Sequence, residues 1–328
     1  MKAILPVAGV GTRLRPLTHT VPKALVHVAG KPILGHILDS LLPLGVDEVV
    51  LIVGYLGEQI VHYVRTNYSL NVRFVEQPER QGLGQAVYLA KEEITTDEPV
   101  FIVLGDTIFS ADLSAVLANG RSAIGVHEVG DPTRFGVVEL EGARIKRLVE
   151  KPAQPPSNLA IVGVYYLRSS MQLFAALQEI IEKDIKVKGE YQLTDALQLM
   201  IEQGEPMGCF KVDDWLDCGN PETLLSTNRL LLDRRQTVAM AECDSCIVIP
   251  PVYVSPTAHV RNSIIGPYVS IADEAHVDQC IIRNSIVNRA ATVTNVLLSD
   301  SIIGEHATMD GIFTQVNVGD SSDIRVAG

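Results

Sequence analysis

Ala8-Gly9-Val10-Gly11-Thr12-Arg13-Leu14-Arg15-Pro16-Leu17-Thr18, followed shortly by Pro22-Lys23, is the stretch on which the reading of this chain turns. A short apolar run, Ala3-Ile4-Leu5-Pro6-Val7, leads into it and reads as a buried first strand of a parallel sheet. Glycines let a backbone turn tightly and come close to a ligand, because they lack a Cβ. Successive N–H groups in such a loop form a concave anion site. Arg13, Arg15 and Lys23 add fixed positive charge beside it. Neither common phosphate motif fits. A P-loop needs Gly-Lys-Ser/Thr, but Gly11 is followed by Thr12-Arg13. A dinucleotide fingerprint needs a third Gly opening a helix, but Pro16 and Pro22 interrupt the segment. The chemistry such a loop suits is the handling of a nucleoside triphosphate.

Outward from the loop, strand and helix patterns alternate, which argues for a mostly parallel sheet with crossover helices, an α/β Rossmann-like architecture. Residues 32–44 read as a helix with Pro at its first turn, 48–53 as a buried strand, 57–64 as a helix and 72–76 as a third strand. Then comes Gln77-Pro78-Glu79-Arg80-Gln81-Gly82-Leu83-Gly84-Gln85, with helix to about residue 94. This is either a plain polar connection or a base-reading loop. Gln77 can donate and accept at once, as the edge of a pyrimidine requires, and Gly82 and Gly84 would admit a flat ring against the backbone. Val100-Phe101-Ile102-Val103-Leu104 makes a central strand with Asp106 past its carboxyl end, where open α/β sheets bind ligands. Residues 135–139 and 144–149 read as a β-hairpin across Glu141-Gly142, closing in Glu150-Lys151-Pro152.

The full string Gly-x-Gly-Thr-Arg-Leu-x-Pro-x-Thr, then Pro-Lys, resembles the signature of the sugar-1-phosphate nucleotidylyltransferases, and the likeness extends over residues 1–235. It implies a loop of Ala8, Gly9, Gly11 and Thr12 around the nucleotide, with Gln77 and Gly82 reading its base. It implies that Arg13 and Lys23 bind phosphates, that Lys151 holds the sugar phosphate, and that Gly136, Glu150 and Tyr165 contact the sugar. It implies Mg²⁺ on Asp106 and Asp217, the latter in Trp215-Leu216-Asp217-Cys218-Gly219. Glu190 is a weaker sugar candidate. Where many thymidylyltransferases have Asn, this chain has Thr107, so only the Asp of that motif carries over. Gly82-Leu83-Gly84-x-Ala86 looks more like the uridylyl- and thymidylyltransferases than the guanylyltransferases. The implied reaction joins glucose-1-phosphate to dTTP or UTP. The alternatives are a mannose-1-phosphate guanylyltransferase-like enzyme and a non-catalytic regulatory relative.

The last ninety or so residues differ. Asn262-Ser263-Ile264-Ile265-Gly266, Asn284-Ser285-Ile286-Val287 and Asp300-Ser301-Ile302-Ile303-Gly304 recur, while Val254, Val260, Ile271 and Val277 alternate with small Ala258 and Ala275. Hexapeptide periodicity of this kind signals a β-helix, and the pattern resembles the left-handed β-helix that several sugar nucleotidylyltransferases carry. The expected domains are 1–237, catalytic, and 238–328, a β-helix of about four coils. A bifunctional acetyltransferase would need more coils, so His259, His276 and His306 are expected on the surface. Unpaired coil edges point to a homo-oligomer.

Composition bounds the rest. A net charge of −12 over 328 residues argues against a general nucleic-acid surface. It also requires any anion site to concentrate its cations locally. No run approaches about 18 apolar residues, so no membrane span is expected. The apolar stretch after Lys2 is short and broken by Pro6, which argues against a leader. An odd, scattered set of five cysteines suits a reducing cytoplasm. Cys243-x-x-Cys246 lacks the second pair of a structural zinc site and reads as ordinary cysteine.

Overall fold

The computed structural model describes residues 1–234 and 244–311. Two compact units divide the chain, Met1–Thr227 and Asn228–Gly328. The domain boundary expected at 237/238, like Cys243, lies outside the described residues.

The first unit is built on a nine-stranded sheet. In chain order its elements begin with β1 (Lys2–Pro6), a short hairpin of β2 (His27–Val28) and β3 (Lys31–Pro32), α1 (Ile33–Leu41), β4 (Glu48–Val53), α2 (Gly57–Asn67) and β5 (Val72–Glu76). Then follow α3 (Leu83–Tyr88), β6 (Val100–Val103), β7 (Thr107–Ser110), α4 (Leu113–Asn119), β8 (Ala123–Glu128), β9 (Gly136–Glu141) and β10 (Arg144–Glu150). The series closes with β11 (Leu159–Leu167), α5 (Ser170–Glu182), α6 (Leu193–Glu202), β12 (Gly208–Lys211) and β13 (Asp214–Asp217), and α7 (Pro221–Arg234) runs on across the boundary at 227/228. The sheet order is β5-β4-β1-β6-β11-β8-β12-β10-β9. Its first four strands are mutually parallel. β11 runs antiparallel to both β6 and β8. The expected parallel sheet is therefore the half that carries the glycine loop, and the remainder is mixed.

Burial explains why β1, β4 and β6 read as continuous apolar runs, while the edge strand β5, Val72-Arg73-Phe74-Val75-Glu76, is partly exposed. Ile4, Val50, Ile52, Val100 and Ile102 point into a core shared with Phe174, Leu177, Leu197 and Met200 of α5 and α6. Their neighbours Ala3, Leu5, Val49, Leu51, Phe101 and Val103 are just as buried. Side chains alternate across a strand, so both faces of the sheet are covered. The helix expected over 32–44 is shorter than its pattern. Pro32 is extended and caps it, and at Leu42–Leu44 the chain tightens into a 3₁₀ turn that contains Pro43 and ends at Gly45. Proline has no N–H for the α-helical ladder. The third expected helix, read as running to about residue 94, likewise stops at Tyr88 and continues as a 3₁₀ turn, Leu89–Glu92. The expected hairpin forms as β9 and β10, with Gly142 at φ 64° in its turn.

The second unit is a β-helix. Three parallel sheets of four strands each stack along it. One contains Ile247–Val248, Ile264–Ile265, Ile281–Arg283 and Leu297–Ser299; a second, Val252–Val254, Val269–Ile271, Ile286–Val287 and Ile302–Ile303; the third, His259–Arg261, His276–Asp278, Thr292–Thr294 and Thr308–Asp310. Val254, Val260, Ile265, Ile271, Val277, Ile282, Val287 and Val293 fill the interior, with Ala258, Ala275 and Ala291 buried among them. His259, His276 and His306 are exposed, the first two stacked with ring centroids 4.7 Å apart.

Candidate active site

The loop after β1 folds as expected from its glycines and prolines. Short 3₁₀ turns, Thr12–Leu14, Leu17–His19 and Lys23–Leu25, replace the helix of a dinucleotide fold. Gly11 has φ 67°, and a Cβ there would sit 2.9 Å from Lys23 Cβ, so a side chain is excluded on both counts. Thr18 Oγ1 donates to the Gly11 carbonyl at 2.8 Å, which fixes the turn. Lys23 is thereby carried across to β6, where its Nζ bonds Asp106 Oδ2 at 2.6 Å.

A cavity of about 390 Å³ opens over this loop. Ala8, Gly9, Gly11, Thr12, Arg13 and Lys23 line it from the first strand; Gln77 and Gly82 line it from beyond β5. Gly82 adopts φ 114°, and a Cβ there would approach the Tyr191 carbonyl to 2.5 Å. The chain is stitched at that point: Tyr191 N–H donates to Gln81 O and Gly84 N–H donates to Tyr191 O, both at 2.8 Å.

A second cavity, of about 880 Å³, adjoins the first. Gly136, Glu150, Lys151, Tyr165, Asp217 and Trp215 are among its walls. Glu150 Oε1 pairs with Lys151 Nζ at 3.1 Å, and Glu150 Oε2 accepts from Thr194 Oγ1 at 2.8 Å. Tyr165 is buried, and that burial, reinforced by the charge of Glu150, pushes its hydroxyl pKa well up. Phe135 meets Trp215 edge-on with centroids 4.7 Å apart. Arg13, Asp106 and Glu190 line both cavities, which therefore share one wall.

Asp106 and Asp217 come together at that junction. β13 pairs with β7 so that Asp217 stands opposite Thr107, and Cys218 N–H donates to the Asp106 carbonyl at 3.1 Å. Burial, and then the charge of Asp106, raise the Asp217 carboxyl; Lys23 and Arg13 oppose the rise. Among the described residues no group of three or more His, Cys, Asp or Glu side chains converges on one point. A pair of hard carboxylates that repel each other suits a divalent cation that completes its shell with phosphate oxygens and water.

The residues to which the resemblance gave a role thus border one of two contiguous cavities, whereas Arg15 and Gly84, also singled out from the sequence, line neither. Arg80, Arg134, Lys188 and Thr194 border them as well and were not expected. Lys188 stands at φ 55° two residues before Glu190. A lone Lys beside Gly189 carried no pattern to mark it, and Arg134 precedes the hairpin with no motif of its own.

Residues 2–234 match the family model described as nucleotidyl transferase. The chain belongs to that family. It is 34% identical over 335 residues to the bifunctional protein GlmU of Methanocaldococcus jannaschii, covering 93% of this chain and 78% of that protein. It is 30% identical over 339 residues to a glucose-1-phosphate thymidylyltransferase of Streptomyces griseus, covering 93% and 92% respectively. A crystal structure of a UDP-glucose pyrophosphorylase complexed with UDP-glucose superimposes with a TM-score of 0.62 at 26% identity, over 71% of this chain and 99% of that one. The chain is a nucleotidyltransferase of the sugar-1-phosphate family. No helix among the described residues is long and apolar enough to cross a membrane.

Proposed function

We propose that this nucleotidyltransferase joins glucose-1-phosphate to dTTP or UTP, forming a nucleotide-sugar and pyrophosphate. The observation that carries the reading is the shared wall of the two cavities. The glycine-loop cavity and the Glu150–Lys151 cleft meet at Arg13, Asp106 and Glu190, so one ligand in each would bring their phosphates together there. Similarity to the Streptomyces thymidylyltransferase and to the UDP-glucose pyrophosphorylase supports the choice of substrates.

In this reading an oxygen of the sugar phosphate attacks the α-phosphorus. A new P–O bond forms as the bond from the α-phosphorus to the bridging oxygen of the β-phosphate breaks, and its electron pair leaves with pyrophosphate. No side-chain nucleophile is required. Both reactants are anions, so holding them in line and neutralising charge supply most of the rate. Lys151 holds the sugar phosphate, with its partner Glu150 fixed by Thr194 to receive a sugar hydroxyl. Gly136 leaves room beside Glu150 Oε2, and Tyr165 walls the sugar in. Arg13 stabilises the departing pyrophosphate. Lys23, which bonds Asp106 here, is within reach of the triphosphate. Asp106 and Asp217 are the residues that would hold Mg²⁺, which supplies charge neutralisation on the phosphates when bound. The β-helix serves assembly into a homo-oligomer.

Pyrophosphate release measured over a panel of nucleoside triphosphates and sugar-1-phosphates tests the reading. The expected best pair is glucose-1-phosphate with dTTP or UTP. A preference for GTP with mannose-1-phosphate would refute the substrate assignment, and no release with any pair would favour a regulatory relative.

A further inference from the structure

The turn between β4 and α2, Gly54-Tyr55-Leu56-Gly57, touches both ends of the glycine-loop stretch without lining either cavity. A Cβ on Gly54 would sit 2.9 Å from Ala8 Cβ and 3.2 Å from the Ala8 carbonyl oxygen, so the turn packs closely on the start of the loop. At the far end the Tyr55 hydroxyl donates to the His19 carbonyl at 2.8 Å. Gln59, in the first turn of α2, donates from Nε2 to the Thr20 carbonyl at 2.9 Å. Thr18, just before these two, is the residue whose hydroxyl holds the Gly11 carbonyl. Residues 18, 19 and 20 are therefore each fastened by a side-chain hydrogen bond. The turn that supplies two of these bonds is itself strained. Gly57 N–H closes it onto the Gly54 carbonyl at 2.8 Å, and Leu56 stands at φ 59°, in the left-handed region that bulky side chains seldom enter. Such a conformation persists only where its surroundings hold it, and it clusters at functional sites.

Beyond Thr20 the chain has little freedom before it reaches the site. Val21 and Pro22 are buried, and Leu25 and Val26 N–H close a 3₁₀ turn onto the Pro22 and Lys23 carbonyls. The Lys23 side chain is packed, 12% exposed, and its stem lies against Gly11. It cannot make up for a shift of its backbone by swinging freely. We infer that Tyr55 and Gln59 are positioning residues for Lys23: from outside the cavities they fix the returning arm of the glycine-loop stretch, and with it the place of the ammonium beside Asp106. This rests on Lys23 as a ligand of the triphosphate, and it adds which residues aim it.

The test is KM and kcat for the better of UTP and dTTP at saturating glucose-1-phosphate. Tyr55→Phe, Gln59→Leu and the pair are each built in the wild type and in Lys23→Gln. Tyr55→Phe keeps the ring and Gln59→Leu keeps the bulk, so each removes little besides a hydrogen bond. Each should raise the KM for the nucleotide about threefold, and the pair about tenfold, as one and two ordinary hydrogen bonds would. The KM for glucose-1-phosphate should stay within about twofold of the wild type. In Lys23→Gln no ammonium is left to aim, so adding the pair should cost less than about twofold more. A merely structural role would instead add its full cost to that of Lys23→Gln. A pair that leaves the nucleotide KM unchanged, or that costs the same with and without Lys23, overturns the inference. Lys23→Gln with wild-type kinetics would remove the reading of Lys23 itself, and this inference with it. If the pair does not fold, the two single variants decide by the same comparison.

Discussion

Asp106 and Asp217 are far apart in the chain, but Asp217 stands opposite Thr107 in the β13–β7 pair and Cys218 N–H donates to the Asp106 carbonyl. If both act through one magnesium ion, Asp106→Asn and Asp217→Asn should each lose about 10²- to 10³-fold in kcat, roughly 3–4 kcal/mol of transition-state stabilisation. The double variant should be far less than multiplicatively worse, and its circular dichroism unchanged. Full turnover in either single variant would break the pairing. Asp195 makes a different prediction. Its Oδ2 is buried without a hydrogen-bond partner, and burial, then the charge of Glu150, raise its carboxyl above 3.8. Ionising it therefore costs stability once the pH exceeds the folded-state value, whereas below 3.8 both folded and unfolded states are protonated and the cost is gone. Asp195→Asn should raise Tm at pH 7, with the gap closing as pH falls toward 4. A gap of constant size across that range would contradict it. At this scale the sequence was legible wherever a residue sat inside a motif, as Gln77, Asp106 and Lys151 do. Arg134 and Lys188 were not, because only the folding of separate segments brings them to one cleft.

Among the elements, α3 shows how a local conformation holds a site. Gly82 at φ 114° caps it against the Tyr191 carbonyl. Gly82→Ala would be strained by backbone conformation and by contact at once. The expected outcome is a rise in KM for the nucleotide larger than any change in KM for the sugar phosphate, measured by steady-state kinetics. Equal changes in both would mean that the strain spreads beyond the nucleotide loop. The β-helix shows what periodicity can and cannot tell. Equivalent positions of successive coils lie sixteen or seventeen residues apart, as His259 opposite His276 and His276 opposite Thr292. The Ser-Ile repeats obscured that step because Ser263-Ile264 belongs to one sheet and Ser285-Ile286 to another. Helix ends were misread for a plainer reason: apolar spacing continues through Leu42 and Leu44, but Pro43 cannot extend the hydrogen-bond ladder.

For the whole molecule, a net charge of −12 coexists with Arg13, Lys23, Arg80, Arg134, Lys151 and Lys188 around two adjoining cavities. Such focusing raises the local concentration of anionic substrates against a repulsive background, so kcat/KM should fall with added salt. The UDP-glucose pyrophosphorylase is matched over 99% of its length by 71% of this chain, so the catalytic fold exists without a β-helix. A chain ended at residue 234 should keep part of its turnover while its sedimentation coefficient drops to that of a smaller assembly. An unchanged oligomeric state, corrected for mass, would remove the β-helix from assembly. The central claim is direct transfer of a nucleotidyl group to a sugar phosphate, and the fate of the α-phosphorus tests it most directly. With α-³²P-labelled UTP or dTTP, glucose-1-phosphate and Mg²⁺, the label should move entirely into the nucleotide-sugar, one pyrophosphate appearing per transfer and none of the label on the protein. Label trapped on the protein, or orthophosphate released in place of pyrophosphate, would contradict it.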